Sequence, residues 1–181
     1  MEYTITAIEK IGETIFEVED ENKNVIGIMH LQNDRKNRCN GAFKSKELEI
    51  LQNSIKMFPE SSYVHNIYIE KKEIGNIYKS RKRKNPLTEV PCRKMYLQGK
   101  LYYGYEIYLT KEELVIPVYK SGNEENCRNK EIQVGLIRQT EQTHMKRIYK
   151  IYSLQGEEMT SFIMALYEYM LQQINILAIS K

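Results

Sequence analysis

The stretch Met159-Thr160-Ser161-Phe162-Ile163-Met164-Ala165-Leu166-Tyr167-Glu168-Tyr169-Met170-Leu171-Gln172-Gln173-Ile174-Asn175-Ile176-Leu177-Ala178-Ile179 decides the fold. Set on a helical wheel at about 100° per residue, Glu168, Ser161, Asn175 and Gln172 fall in one narrow sector. Nearly everything else around the circumference is apolar, with Gln173 the clear exception. A surface helix carries one apolar stripe and a broad polar face, so a helix apolar over most of its circumference must be enclosed by protein or lipid. Glu168, Gln172, Gln173 and Asn175 interrupt the run, whereas a membrane span needs roughly 18 or more apolar residues with few charges. Lipid is therefore disfavoured, and the reading that follows is a helix surrounded by sheet.

The rest of the sequence supplies the sheet. Tyr3, Ile5 and Ala7 alternate with Thr4, Thr6 and Ile8, and Ile15-Phe16-Glu17-Val18 follows a Gly12 turn. Asp20-Glu21-Asn22-Lys23-Asn24 is a polar turn before Val25-Ile26-Gly27-Ile28-Met29. The same hairpin rhythm returns in Val64–Glu70 with Glu73–Tyr78, and in Leu114–Tyr119 with Ile132–Arg138. Lys94–Gln98, Leu101–Tyr108 and Lys146–Leu154 add further strands rich in Tyr and β-branched residues. The pattern predicts about nine to eleven strands, enough to wrap a helix. Three return strands share an apolar-Gly-any-apolar signature at Gly27, Gly75 and Gly135, which predicts a repeated bulge or close backbone approach rather than a solenoid repeat. One other segment, 45–58, places Leu48, Leu51, Ile55 and Phe58 at helical spacing before Pro59 and predicts a helix inserted between strands.

Composition limits the function. The chain has 181 residues, 41% hydrophobic and 28% charged, which fits one globular domain. Three scattered cysteines, Cys39, Cys92 and Cys127, cannot staple a secreted scaffold, and the first twenty residues lack the apolar core of a secretory signal. The expected location is the cytoplasm. His30, His65 and His144 never stand at metal-ligand spacings with the cysteines, so neither metal nor cofactor is expected. No nucleophile elbow, phosphate-cradling glycine loop or dinucleotide fingerprint is present, and the expectation is that the chain is not an enzyme.

Charge singles out one place. Five bases, Lys79, Arg81, Lys82, Arg83 and Lys84, stand within six residues. Of 27 bases and 24 acids, removing those five leaves 22 against 24, a net of −2. The body is near neutral and the cations read as one basic loop between strands, a candidate site for anionic lipid headgroups or nucleic acid. Arg138, Lys146 and Arg147 would extend its field if the strands brought them near. Solvation of an ordinary loop is the plain alternative, and the fourteen Tyr sit mostly in strand patterns, where barrel wall is a better use for them than base stacking.

Taken in order, Gly99-Lys100-Leu101-Tyr102-Tyr103-Gly104-Tyr105-Glu106-Ile107, Leu114-Val115-Ile116-Pro117-Val118-Tyr119, Ile132-Gln133-Val134-Gly135-Leu136-Ile137-Arg138, Arg147-Ile148-Tyr149-Lys150-Ile151-Tyr152 and the apolar terminal helix resemble the tubby C-terminal-like group. The likeness is to small bacterial members related to the LURP-one and phospholipid-scramblase proteins, and it covers roughly residues 1–179. It rests on strand rhythm and the terminal helix rather than on a sharp motif. The resemblance implies a closed antiparallel barrel of about twelve strands around a central hydrophobic helix, and binding of phosphoinositide or other anionic phospholipid headgroups through basic side chains. Lys79, Arg81, Lys82, Arg83 and Lys84 match that site in character only. The function expected is a non-enzymatic binding protein, peripheral to an anionic membrane, with nucleic-acid binding by the same bases or a purely structural, partner-docking role as the alternatives. Oligomeric state is not legible.

Overall fold

The computed structural model describes residues 1–32, 38–54, 63–85, 88–110, 113–122, 131–143 and 145–179. Thirteen strands precede one helix: β1 (Glu2–Lys10), β2 (Glu13–Asp20), β3 (Val25–Gln32), β4 (Arg38–Phe43), β5 (Lys46–Ser54), β6 (Tyr63–Ile69), β7 (Lys72–Asn85), β8 (Thr88–Leu97), β9 (Lys100–Gly104), β10 (Ile107–Tyr108), β11 (Leu114–Ser121), β12 (Glu131–Gln142), β13 (Lys146–Ser153) and α1 (Glu158–Ile179). Each strand pairs antiparallel with its sequence neighbour from β1 to β9, β13 returns to β1, and β9 pairs with β11. The result is a closed twelve-strand antiparallel barrel, with β10 continuing along β11 where β9 stops. Closure removes the unpaired edges that an open sheet of this size would expose.

The strands form where period-two alternation puts an apolar set on one face. Tyr3, Ile5 and Ala7 are buried while Ile8 is exposed, as the alternation at the N-terminus requires. Phe16 and Val18 on β2, Met29 and Leu31 on β3, and Leu48 and Ile50 on β5 continue the inner layer. The segment 45–58, expected to be helical, is corrected here: Lys46–Ser54 is strand β5, and residues 55–62 lie outside the described residues. The physical reason is visible in Glu47-Leu48-Glu49-Ile50. It alternates with period two, and the ladders to β4 and β6 satisfy both backbone edges. The i, i+3 spacing of Leu48 and Leu51 is incidental, since Leu48 is buried and Leu51 only half-buried.

The three glycines form one repeated device. At Gly27, Gly75 and Gly135 the preceding residue, Ile26, Ile74 or Val134, is skipped in the pairing with the previous strand. The skipped residue's carbonyl accepts a hydrogen bond from the turn at the far end of the next strand: Lys44 N to Ile26 O at 2.7 Å, Gln98 N to Ile74 O at 2.8 Å and Leu154 N to Val134 O at 2.9 Å. A Cβ on Gly75 would stand 1.9 Å from the Tyr96 carbonyl oxygen, on Gly27 2.8 Å from that of Ala42, and on Gly135 2.2 Å from Ser161 Oγ. Gly27 in β3, Gly75 in β7 and Gly135 in β12 lie four strands apart around the ring. The barrel thus carries a pseudo-threefold pattern of bulges, each adding local twist where the wall must curve.

Helix α1 is buried at every position from Thr160 to Met170. Its side chains touch strands spread around the ring. Phe162 stacks on Phe43 of β4 with centroids 4.2 Å apart, Tyr167 meets His65 of β6 edge-on at 5.1 Å, and Tyr169 meets Phe16 of β2 at 4.9 Å. Ser161 donates to Ser153 of β13 (3.2 Å), and Met164 lies against Gly104 of β9. No helix among the described residues is long and apolar enough to cross a membrane.

Candidate functional site: a cationic strand above a buried ion pair

The basic segment expected as a loop is part of a strand, the second correction to the sequence reading. β7 runs without interruption through Lys79, Arg81, Lys82, Arg83 and Lys84. Its partner β8 continues opposite, pairing Lys79 with Arg93, Arg81 with Pro91, Lys82 with Val90 and Arg83 with Glu89. Among the described residues β6 follows β7 only as far as Val64 opposite Tyr78, and β9 follows β8 only from Gly104 opposite Arg93. Among the described residues the cations therefore lie where β7 and β8 pair beyond the ladders to β6 and β9. Pro91 fits this β7–β8 arm because it lacks an N–H to give to a ladder. Lys79 and Arg81 are exposed, and they share the face of the buried Ile77. The side chains of Lys82, Arg83 and Lys84 lie outside the described residues.

Beneath the arm sits a group that sequence reading missed. Arg93, directly across the ladder from Lys79, is buried and donates from Nε to Glu168 Oε2 at 2.8 Å and from Nη2 to Glu168 Oε1 at 3.3 Å. The same Nη2 reaches Glu106 Oε2 at 2.8 Å. Tyr108 Oη donates to the other oxygen of Glu106 at 2.6 Å. Burial pushes the Glu168 carboxyl above the ordinary carboxylate range, against the pull of the Arg93 charge and hydrogen bonds. Glu106 moves the other way. Burial opposes its ionised form, but the Tyr108 hydroxyl, Arg93 and the more distant Lys79 charge together hold it below its ordinary value. One guanidinium shared by two carboxylates through Nε and Nη2 is a locked structural charge, although its Nη1 is buried without a hydrogen-bond partner. Glu168 is the signal that could have found it. An acid on a helix that is apolar on nearly every side must meet a cation, although the sequence does not say which.

The three other bases do not join the arm. Arg147 points inward, donating to Gln172 Oε1 at 2.6 Å, 3.7 Å from Glu9 and 5.0 Å above the Tyr169 ring. Arg138 is paired with Glu113. β12 and β13 are separated from β8 by β9 and β11 in ring order. Lys146 is exposed beside its hairpin turn.

Of the histidines and cysteines, His30 stands 3.2 Å from Glu13, His65 packs on Tyr167, and Cys39 and Cys92 are buried and unbridged. Burial drives the Cys39 thiol far up, away from thiolate chemistry. His144 and Cys127 lie outside the described residues. Among the described residues no three His, Cys, Asp or Glu side chains gather as a metal site. An outer-wall groove of about 360 Å³ crosses β4 and β5, lined by Arg38, Asn40, Glu47, Glu49, Tyr68 and Lys71 among others; Arg38 and Glu49 pair across it. Comparison with family models, curated proteins and solved structures finds no match for this chain.

Proposed function

We propose that this chain is a tubby-like barrel filled by its own C-terminal helix, and that it acts as a non-enzymatic, peripheral binder of anionic phospholipid headgroups through Lys79, Arg81, Lys82, Arg83 and Lys84. The observation that carries the reading is the concentration of five cations on one strand, β7, paired with β8, on a body whose remaining charge is −2. Glu106 and Glu168, the acids beneath the arm, are already engaged by Arg93. The filled interior is supported by α1 side chains that touch β2, β4, β6, β8, β9 and β13. A barrel so filled offers a ligand its outer surface and ends rather than a lumen. A cytoplasmic protein recruited to an anionic leaflet fits this chemistry.

Sedimentation with phosphatidylcholine vesicles, with and without phosphatidylserine or a phosphoinositide, tests the proposal. Binding should need the anionic lipid, weaken as salt rises, and vanish in Lys82→Glu with Arg83→Glu. Undiminished binding by that double variant would remove the arm from the mechanism. Tighter binding to single- or double-stranded DNA or RNA at matched salt would replace the lipid with a nucleic acid, since phosphate neutralisation alone does not tell the two apart.

A further inference from the structure

The ring's connections fall at two ends, and the described turns at those ends differ in chemistry. At one end the turns are polar: Glu21-Asn22-Lys23-Asn24, Lys44-Ser45, Glu70-Lys71 and Gln98-Gly99. At the other, three hairpins that follow one another around the ring each present a bare apolar side chain: Leu109 after β10, Met145 before β13, and Ile11 between β1 and β2. Ile11 is fully exposed, Met145 is 66% exposed, and Leu109 and its neighbour Tyr108 are each 60% exposed.

Single exposed apolar residues are ordinary, but an isoleucine at a two-residue hairpin tip is not. Gly12 supplies the positive φ of that turn at +86°, so its partner could be any polar residue. The β1–β2 and β12–β13 hairpins are stitched together at their ends by Glu9 N donating to Met145 O at 2.9 Å, so two of the tips are neighbours. Lys10 and Lys146 flank them. The next hairpin beyond Leu109 in ring order is β7–β8, the cationic arm. Apolar tips and cations thus share one end. The opposite end also exposes Met1, Val25, Ile132 and Leu154, but among both acids and lysines, such as Asp20, Glu131, Lys23 and Lys71, and away from the β7 arm.

We propose that the end carrying Ile11, Leu109 and Met145 is the face that seats on an anionic bilayer, with these three side chains entering the boundary between headgroups and acyl chains while the β7 arm holds phosphates beside them. This rests on the lipid reading above and adds the orientation and a salt-resistant, apolar component. Cations with interfacial aliphatic and aromatic side chains are the pairing that lets a peripheral protein hold a membrane.

The chain has no tryptophan, so an introduced one reports alone. Ile11→Trp, Leu109→Trp and Met145→Trp, with Gln155→Trp at the opposite end, should each be mixed with phosphatidylserine-containing vesicles, some bearing brominated acyl chains. The first three should shift to the blue and be quenched by bromine, and Gln155→Trp should do neither. The combined Ile11→Ser, Leu109→Ser, Met145→Ser variant should bind about tenfold more weakly and lose the residual binding seen at high salt. Salt-sensitive binding with all four tryptophans in water, or with Gln155→Trp quenched, overturns the seating and leaves the headgroup reading intact. No vesicle binding by the unaltered chain overturns both.

Discussion

Helix α1 meets two kinds of surroundings along its length. Where it begins, Glu157 accepts hydrogen bonds from Lys120 (2.8 Å), Tyr102 (2.9 Å) and Thr160 (3.1 Å), and the following turns are fixed by apolar packing of Phe162 on Phe43 and Met164 on Gly104. Toward its other end the partners are ionic or polar: Glu168 with Arg93, Gln172 with Arg147, and Tyr169 and Gln173 both donating to Glu9 at 2.8 Å. The hairpin turns reverse this order, with the polar turns at 21–24, 44–45, 70–71 and 98–99 near the start of α1 and the apolar tips Ile11, Leu109 and Met145 near the Glu9 end. At the first end Lys120 and Glu157 keep partial contact with water, so their pairing can be lost at small cost. At the second end Arg93 and Glu168 have been taken out of water and depend on each other.

The largest effect should come from breaking the second end. Arg93→Met alone should lower stability by about 3–5 kcal/mol in urea unfolding, because it strands the buried Glu168, and Glu168→Leu should cost less, because Arg93 keeps Glu106. The pair together should cost less than Arg93→Met alone, since no buried carboxylate is then left unpaired and Glu106, 20% exposed, can turn to water. Singles that cost under about 1 kcal/mol would mean that water reaches the cluster, and the contrast between the ends would be lost.

The bulge device belongs to the first end and gives a finer test. Gly75→Ala forces a Cβ toward the Tyr96 carbonyl and should cost about 1–3 kcal/mol, as overpacking does. Gly12→Ala meets open space and suffers only from its positive φ, so about 1 kcal/mol is expected. Equal costs, compared by thermal unfolding, would show that the Gly75 bulge yields without strain.

These residues also show how much was legible. The bulges could be read because an apolar-Gly-any-apolar pattern recurring in return strands is a local signal. The burial of α1 from Thr160 to Met170 could be read because apolar residues on every side leave few solutions. β5 was misread because two periods competed over a few residues, and pairing with β4 and β6, invisible in one dimension, chose between them. The cations at 79–84 read as a loop because charge normally marks one; here the ladder to β8 extends the strand beneath them. Arg93 was unreadable as Glu168's partner, since 75 residues separate them and nothing but barrel closure brings them together.

Acid should act on the first end through Glu157. Its burial opposes ionisation, but hydrogen bonds from Lys120, Tyr102 and Thr160 and the Lys120 charge bring its carboxyl below the ordinary value of 4.5. Tyr102 is pushed up to about 12 by burial and by that carboxylate. A depressed carboxylate stabilises the fold above its unfolded pKa, and that contribution fades as pH falls through the folded one. Glu157→Gln should therefore cost no more than about 1 kcal/mol near neutrality and flatten the acid limb of a stability-against-pH curve. An unchanged acid limb would assign it to other carboxylates.

The smallest expected effect is the most discriminating about purpose. Ile11 makes no buried contact to lose, and Met145 joins its neighbour through a backbone carbonyl that any residue supplies. Ile11→Ser and Met145→Ser should each change stability by no more than about 0.5 kcal/mol, the range of surface substitutions away from packed features. A residue that contributes nothing to folding yet exposes apolar surface at a hairpin tip has its free-energy gain elsewhere, in whatever covers it. If either serine variant instead lowers the unfolding midpoint substantially, the tip packs against part of its own chain, and its apolar character is explained without a membrane.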